Sequence, residues 1–179
     1  METTLCADPA YPFDAVESIR VRVERRSLSR LRLRYVVVGD VSRIRIPPSA
    51  EPLRTTGLWE ATCFEAFIRR EGEDRYVELN FSPSGQWAAY AFSGYRQDMR
   101  DAPLASAPRI AVKRSADRLE IEAALSADLG PGPHALNVAA ILQDLEGERS
   151  FWAASHPAGG PDFHHPGCFI ERLPPAPDE

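Results

Sequence analysis

Cysteine is scarce in this chain, with three among 179 residues. Cys6, Cys63 and Cys168 are far apart and odd in number, which argues against a disulfide framework. No run approaches the roughly 18 consecutive apolar residues of a membrane-spanning helix. The opening METTLCADPAYPFD lacks the basic start and apolar stretch of a signal peptide. Together these absences lead to the expectation of a reduced, cytoplasmic protein. No glycine-rich loop follows a strand, no GxxxxGK[ST] is present, and no nucleophile elbow appears. Positive charge is not in excess either. Lys and Arg number 21 against 26 Asp and Glu, and a net charge of -5 argues against nucleic acid or an anionic membrane as partner.

Sustained helical periodicity is also missing, and short strand signals fill the chain instead. Residues 18–24, 30–38, 44–46, 63–68, 75–81, 86–92, 109–113, 118–124, 136–142, 149–154 and 168–173 alternate or run apolar between turn residues. The arginines at 20, 22, 25, 26, 30, 32 and 34 alternate with apolar residues, which reads as the solvated face of a hairpin. Pro47-Pro48 stops the short strand before it, because proline supplies no N–H to a ladder. Residues 126–133 could hold one helical turn, and 94–108 is the longest irregular stretch. With 44% hydrophobic and 26% charged residues the composition is that of an ordinary globule. About ten short antiparallel strands predict an all-β fold, a β-sandwich of jelly-roll type with little helix. We place one domain at residues 13–173, with flexible termini at 1–12 and 174–179.

The most informative segment spans residues 57–92. Cys63-Phe64-Glu65-Ala66-Phe67-Ile68 is apolar except for one carboxylate. A carboxylate inside a hydrophobic strand costs free energy unless something pairs with it. That singles out Glu65, with Trp59 shortly before it, as the first place to seek a ligand.

Aromatic residues near strand ends extend the case: Trp59, Trp87, Tyr90, Tyr95, Trp152 and Phe163. Flat rings beside carboxylates and amides suit a sugar, whose C–H face stacks on a ring while its hydroxyls bond the polar groups. The plain alternative is that tryptophans fill the core. Trp87 and Tyr90 fall on opposite faces of one strand, so at least one points inward; Trp59 precedes its strand in a turn and is the least core-like. Cys63 and Cys168 read as buried, inert thiols. His156, His164 and His165 read as hydrogen-bonding side chains, with Asp162, His164 and His165 as an alternative metal set.

The segment Trp59-Glu60-Ala61-Thr62-Cys63-Phe64-Glu65-Ala66-Phe67-Ile68 and the ending Phe163-His164-His165-Pro166-Gly167-Cys168-Phe169 resemble the DOMON-like superfamily, in the branch related to family 9 carbohydrate-binding modules. Across residues 13–173 the resemblance implies a β-sandwich that binds a sugar or a haem. It puts Trp59 and Phe163 at the two aromatics that clamp a sugar ring and Glu65 at the glutamate that holds its hydroxyls. Three positions depart from the pattern. Thr62 stands at an acidic position, Glu78 replaces an arginine, and Gly159-Gly160-Pro161 lacks an asparagine. The wording LWxxTCFEAF…NFSPSG…AYxFxGYR also looks like a stand-alone bacterial DOMON-like group.

The expected function is thus a non-catalytic binding module for a small polar ligand, a saccharide or sugar derivative, with no cofactor. Candidate ligand-binding residues are Trp59, Glu65, Asn80, Trp152, His156, Phe163, His164 and His165. One alternative is an electron-transfer domain holding haem b between Met99 and a histidine such as His156. Another is a metal-binding protein or enzyme using Asp162, His164 and His165 with Glu65.

Overall fold

The computed structural model describes residues 1–176. Among the described residues twelve strands form in chain order: β1 (Glu2–Ala7), β2 (Val16–Arg25), β3 (Arg30–Gly39), β4 (Cys63–Arg70), β5 (Tyr76–Phe81), β6 (Trp87–Phe92), β7 (Arg100–Asp101), β8 (Arg109–Arg114), β9 (Arg118–Ser126), β10 (His134–Gln143), β11 (Arg149–Ala153) and β12 (Glu171–Leu173). Helical structure among the described residues is limited to three single 3-10 turns, Val41–Arg43, Leu58–Glu60 and Pro166–Cys168. All strand pairs are antiparallel and follow one path, β7-β6-β5-β4-β10-β11-β1-β2-β3-β9-β8, with β12 added to β10.

The path curls so that its two halves face each other. Apolar residues of β2, β3 and β9 pack against those of β4, β5 and β10 in one cluster. The Tyr35 and Phe64 rings meet at 5.2 Å, and the Tyr35 hydroxyl donates to the Glu65 carbonyl at 2.6 Å. Each fully buried large apolar side chain contributes about 1.5–3 kcal/mol, so this shared interior holds the curl closed. The architecture is all-β and antiparallel as expected, but it is one continuous curled sheet. Its two halves face each other across one interior, and a single hydrogen-bonded path runs through both.

β1 makes the sheet continuous, pairing with β11 on one side and β2 on the other. It lies within residues 1–12, a stretch expected to be a loose terminus. Of the tail expected to fray at 174–179, residues 177–179 lie outside the described residues. Three further expectations change. Residues 44–46 form a single bridge, Ile44 to Asp144, rather than a strand. The 126–133 stretch holds no helical turn; β9 runs into it, and the Arg25 guanidinium donates to the Gly132 carbonyl at 2.9 Å and to the carbonyl of Gly130. Residues 166–168 form a 3-10 turn, which shortens the last strand to β12.

The arginine face of the hairpin is solvated except at Arg25, which is buried and bonded to the carbonyls of Gly130 and Gly132. Arg32 bonds Glu122 at 2.7 Å through both carboxylate oxygens, and Arg34 bonds Glu120 at 2.8 and 2.9 Å. β4, β5, β6, β10 and β11 differ from this half because both of their faces are buried. One face joins the main interior; the other is roofed by loops and carries the candidate site.

Candidate functional site

Strand alternation decides which residues reach the loop-covered face. Phe64, Ala66 and Ile68 of β4 enter the main interior, while Cys63 and Phe67 enter a second cluster with Tyr76, Tyr90, Phe92 and Phe163. Glu65 therefore faces the second cluster. Cross-strand register aligns Ala88, Asn80, Glu65, Ala139 and Ala153 in one row. The next row holds Tyr90, Glu78, Phe67 and Asn137. The short alanines leave open space above the polar residues between them.

Loops wall this floor into a cavity of about 370 Å³. Gly57 at φ 81° starts the 3-10 turn that carries Trp59, a backbone conformation available at little cost to glycine. Trp59 meets Tyr90 edge-on at 6.1 Å, and its carbonyl accepts from Arg149 at 3.2 Å. Phe163 is held from below, because the Asn137 amide donates to its carbonyl at 2.9 Å. Asp162 ties two loops together: it accepts from Arg96 at 2.7 Å, from the His164 N–H at 3.2 Å and from the Tyr95 hydroxyl. Phe92, Met99, Ile141, Phe151 and Pro161 complete the walls.

Polar atoms are left without partners in this floor. Glu65 is 3% exposed and Asn80 and Asn137 are fully buried; Glu65 Oε1, Asn80 Oδ1, Asn137 Oδ1 and the Tyr90 hydroxyl have no protein partner. Buried polar groups are normally paired, so a cluster of orphans marks a place prepared for something else to bond. Asn80 spends its amide on Glu78 Oε1 at 2.7 Å.

Burial, then the nearby Glu78, pushes the Glu65 carboxyl well above the usual range. Burial raises Glu78 to about 7, against the Asn80 hydrogen bond and the Arg96 charge that favour its ionised form. Burial and then Arg96 drive His164 down to about 4, so its imidazole is neutral at neutral pH. The Tyr76 hydroxyl accepts from the Arg96 N–H at 3.3 Å and lies 2.7 Å from His164 Nδ1. Donation to Nδ1 leaves the proton on Nε2, which faces Glu78 at 3.6 Å. Against its own burial, Asp162 is held below the usual range by Tyr95 and Arg96. Burial raises the thiols of Cys63 and Cys168, in keeping with inert cysteines.

The fold gathers Trp59, Glu65, Phe163 and His164 around one cavity, with Asn80 opposite Glu65 on the neighbouring strand and outside the lining. It sends three other candidates elsewhere. Trp152 packs in the main interior with its indole N–H on Ser150 at 3.1 Å; alternation gives its neighbour Phe151 to the cavity. His156 bonds the Cys6 carbonyl at 2.9 Å with Nε2 and has Nδ1 3.9 Å from Asp8, fastening the loop to β1. His165 is exposed and accepts from the Gly167 N–H at 3.1 Å as a turn cap.

The metal set is not assembled. Among the described residues no group of three or more His, Cys, Asp or Glu side chains converges. Met99 and His156 do not meet either, since Met99 lines the cavity at 56% exposure while the nitrogens of His156 face Cys6 and Asp8. A haem held between those two side chains does not fit this geometry.

Several cavity residues were not foreseen. Glu78 shares its face with Asn80 by simple alternation in Tyr76-Val77-Glu78-Leu79-Asn80, so the signal was available. Tyr90, already named among the aromatics, stands beside Glu78 in the same row but outside the lining. Arg96, Phe151 and Pro161 come from elements whose approach no local pattern encodes.

No protein-family model matches the sequence, and no curated protein matches it significantly. Solved structures do. A Bacteroides uniformis protein assigned as carbohydrate-binding is 16% identical, with a TM-score of 0.72 over 97% of this chain and 85% of that one. A family 9 carbohydrate-binding module from Caldicellulosiruptor kristjanssonii, in complex with glucose, is 9% identical, with a TM-score of 0.55 over 88% of this chain and 75% of that one. A module of the same family and organism in complex with cellotriose gives 0.51 at 10% identity, over 85% of this chain and 78% of that one. At these identities the likeness establishes the fold.

Proposed function

We propose that the protein is a non-catalytic, DOMON-like binding module that takes a small saccharide or sugar derivative in the cavity between Trp59 and Phe163. The observation that carries this reading is the pairing of an indole and a phenyl wall with the unpartnered Glu65 Oε1 in the cavity lining, beside further unpartnered polar atoms of Asn80, Asn137 and Tyr90 in the same strand rows. A sugar presents apolar C–H faces and hydroxyls that both donate and accept, which matches rings above and orphaned oxygens below. The cavity volume lies within the range of roughly 300–1,000 Å³ usual for small-molecule sites. The glucose and cellotriose held by structural neighbours agree with this reading. Three free cysteines, one of them exposed, fit a reducing compartment such as the cytoplasm.

Tryptophan fluorescence and calorimetry test the proposal. Trp87 and Trp152 sit in the main interior, so Trp59 is the indole that reports on the cavity. Titration with glucose, cellobiose and their methyl glycosides should perturb its emission. Trp59→Ala should weaken binding about two- to tenfold, the worth of one aromatic contact. Sugar binding that survives Trp59→Ala unchanged would place the site elsewhere.

A further inference from the structure

Two acids share this cavity, and no protein cation pairs with either, although the Arg96 charge favours the ionised Glu78 from a distance. Among the described residues, the basic atom within ion-pair reach of Glu78 is Nε2 of the neutral His164, and Glu65 Oε1 has no partner. The Arg96 guanidinium in the wall is committed to Asp162 at 2.7 Å. Ionising both Glu65 and Glu78 would leave two uncompensated charges in a buried floor. An isolated buried carboxylate is costly unless a proton or a cation accompanies it.

We propose that the ligand brings that cation: an amino sugar whose ammonium group seats on the Glu65–Glu78 pair. This deepens the saccharide reading and rests on it. An ammonium has three donors and no acceptor, and the cavity lining offers the orphaned Glu65 Oε1 together with the Glu78 carboxylate. Rings of Trp59, Phe92, Phe151 and Phe163 line the same space, and aromatic faces attract an ammonium. The absence of any three-residue His, Cys, Asp or Glu cluster among the described residues favours an organic cation over a metal ion.

Binding has a proton account. Glu78, raised to about 7, holds a proton below neutrality, and the arriving ammonium releases it to the buffer. Other titratable or charged groups facing the pair are Cys63 from β4, Tyr76 from β5, Tyr90 from β6, and Arg149 at the rim of β11. The covering loops add Arg96, Asp162 and His164. Each of the loop groups is bonded within the protein, which leaves the glutamate pair to exchange the proton.

The test is calorimetry at pH 6.5 in two buffers of different ionisation enthalpy, with methyl glucosaminide, methyl glucoside and cyclohexylammonium chloride. The aminosugar should bind at least about tenfold tighter than the glucoside, the lower end of what a hydrogen bond to a charged group contributes. It should release a proton, whereas the glucoside should not. Glu65→Gln and Glu78→Gln, each checked for folding by circular dichroism, should erase the preference; proton release by the wild type tests the idea without any variant. Glucoside binding as tight as the aminosugar, still sensitive to Trp59→Ala, refutes the ammonium and leaves the saccharide reading standing. Cyclohexylammonium binding as tight as the aminosugar supports the ammonium and refutes the saccharide. Failure of all three to bind overturns both.

Discussion

Replacing Glu78 with glutamine should change how stability depends on pH, not merely how large it is. In the folded protein Glu78 titrates near 7, against 4.5 for an ordinary glutamate. Between those values the folded state holds a proton that the unfolded chain has lost. Stability from this group is therefore intact below pH 4.5 and declines as pH rises through about 7. At roughly 1.4 kcal/mol per pH unit, the difference integrates to about 3 kcal/mol lost by pH 8. His164 acts in the opposite sense. Its value of about 4, against 6.5, makes stability rise with pH between those limits. The two nearly cancel across the acidic range in the wild type, so the difference between variant and wild type is the quantity to measure. Glutamine keeps the oxygen that accepts from Asn80 and removes the charge. It also relieves Glu65 of the second cause of its raised pKa, which adds an effect of the same sign. Urea denaturation at pH 4 and pH 8 should show Glu78→Gln near parity at the lower pH and ahead by about 3 kcal/mol at the higher. An offset that stays constant between the two pH values would refute the assignment of a buried, uncompensated carboxyl at this position.

Other expectations follow from single contacts. Asn137→Ala should cost about 1–2 kcal/mol in denaturation and loosen Phe163, seen as weaker ligand binding with the rest of the fold retained. Trp152→Phe should lower stability yet leave sugar affinity unchanged, the reverse of Trp59→Ala, because its ring belongs to the main interior. Gly39→Ala should unfold the protein or cost several kcal/mol by thermal melt: an added Cβ would lie 2.1 Å from the Ala15 carbonyl oxygen, at a φ of 146°. Tyr35→Phe should cost about 1–2 kcal/mol by urea denaturation, since it leaves the Glu65 carbonyl without its 2.6 Å donor across the interior.

Much of the fold was written in local pattern. Alternation in β2, β3 and β9 gave both the strands and their solvated arginine face. Glu65 stood out because a carboxylate in an apolar strand violates burial preference, and its neighbourhood proved to be the cavity. The misses have a common cause. β1 carries Leu5 as its one buried residue, too little periodicity to read, yet its backbone joins the two halves of the sheet. Trp152 and Phe151 are adjacent aromatics, and composition cannot say which of two neighbours points to a ligand.

By itself the sequence determined most of the strands, their alternation and the misfit carboxylate, because these follow from the identity of residues two apart in one chain. Only the tertiary structure decided that Glu65 and Glu78 share a floor, that Arg96 is spent on Asp162, and that Trp59 and Phe163 border one cavity. Those facts depend on cross-strand register and on loops meeting over a sheet. Such contacts join residues up to about a hundred positions apart, fixed by the packing of the whole interior rather than by any local preference.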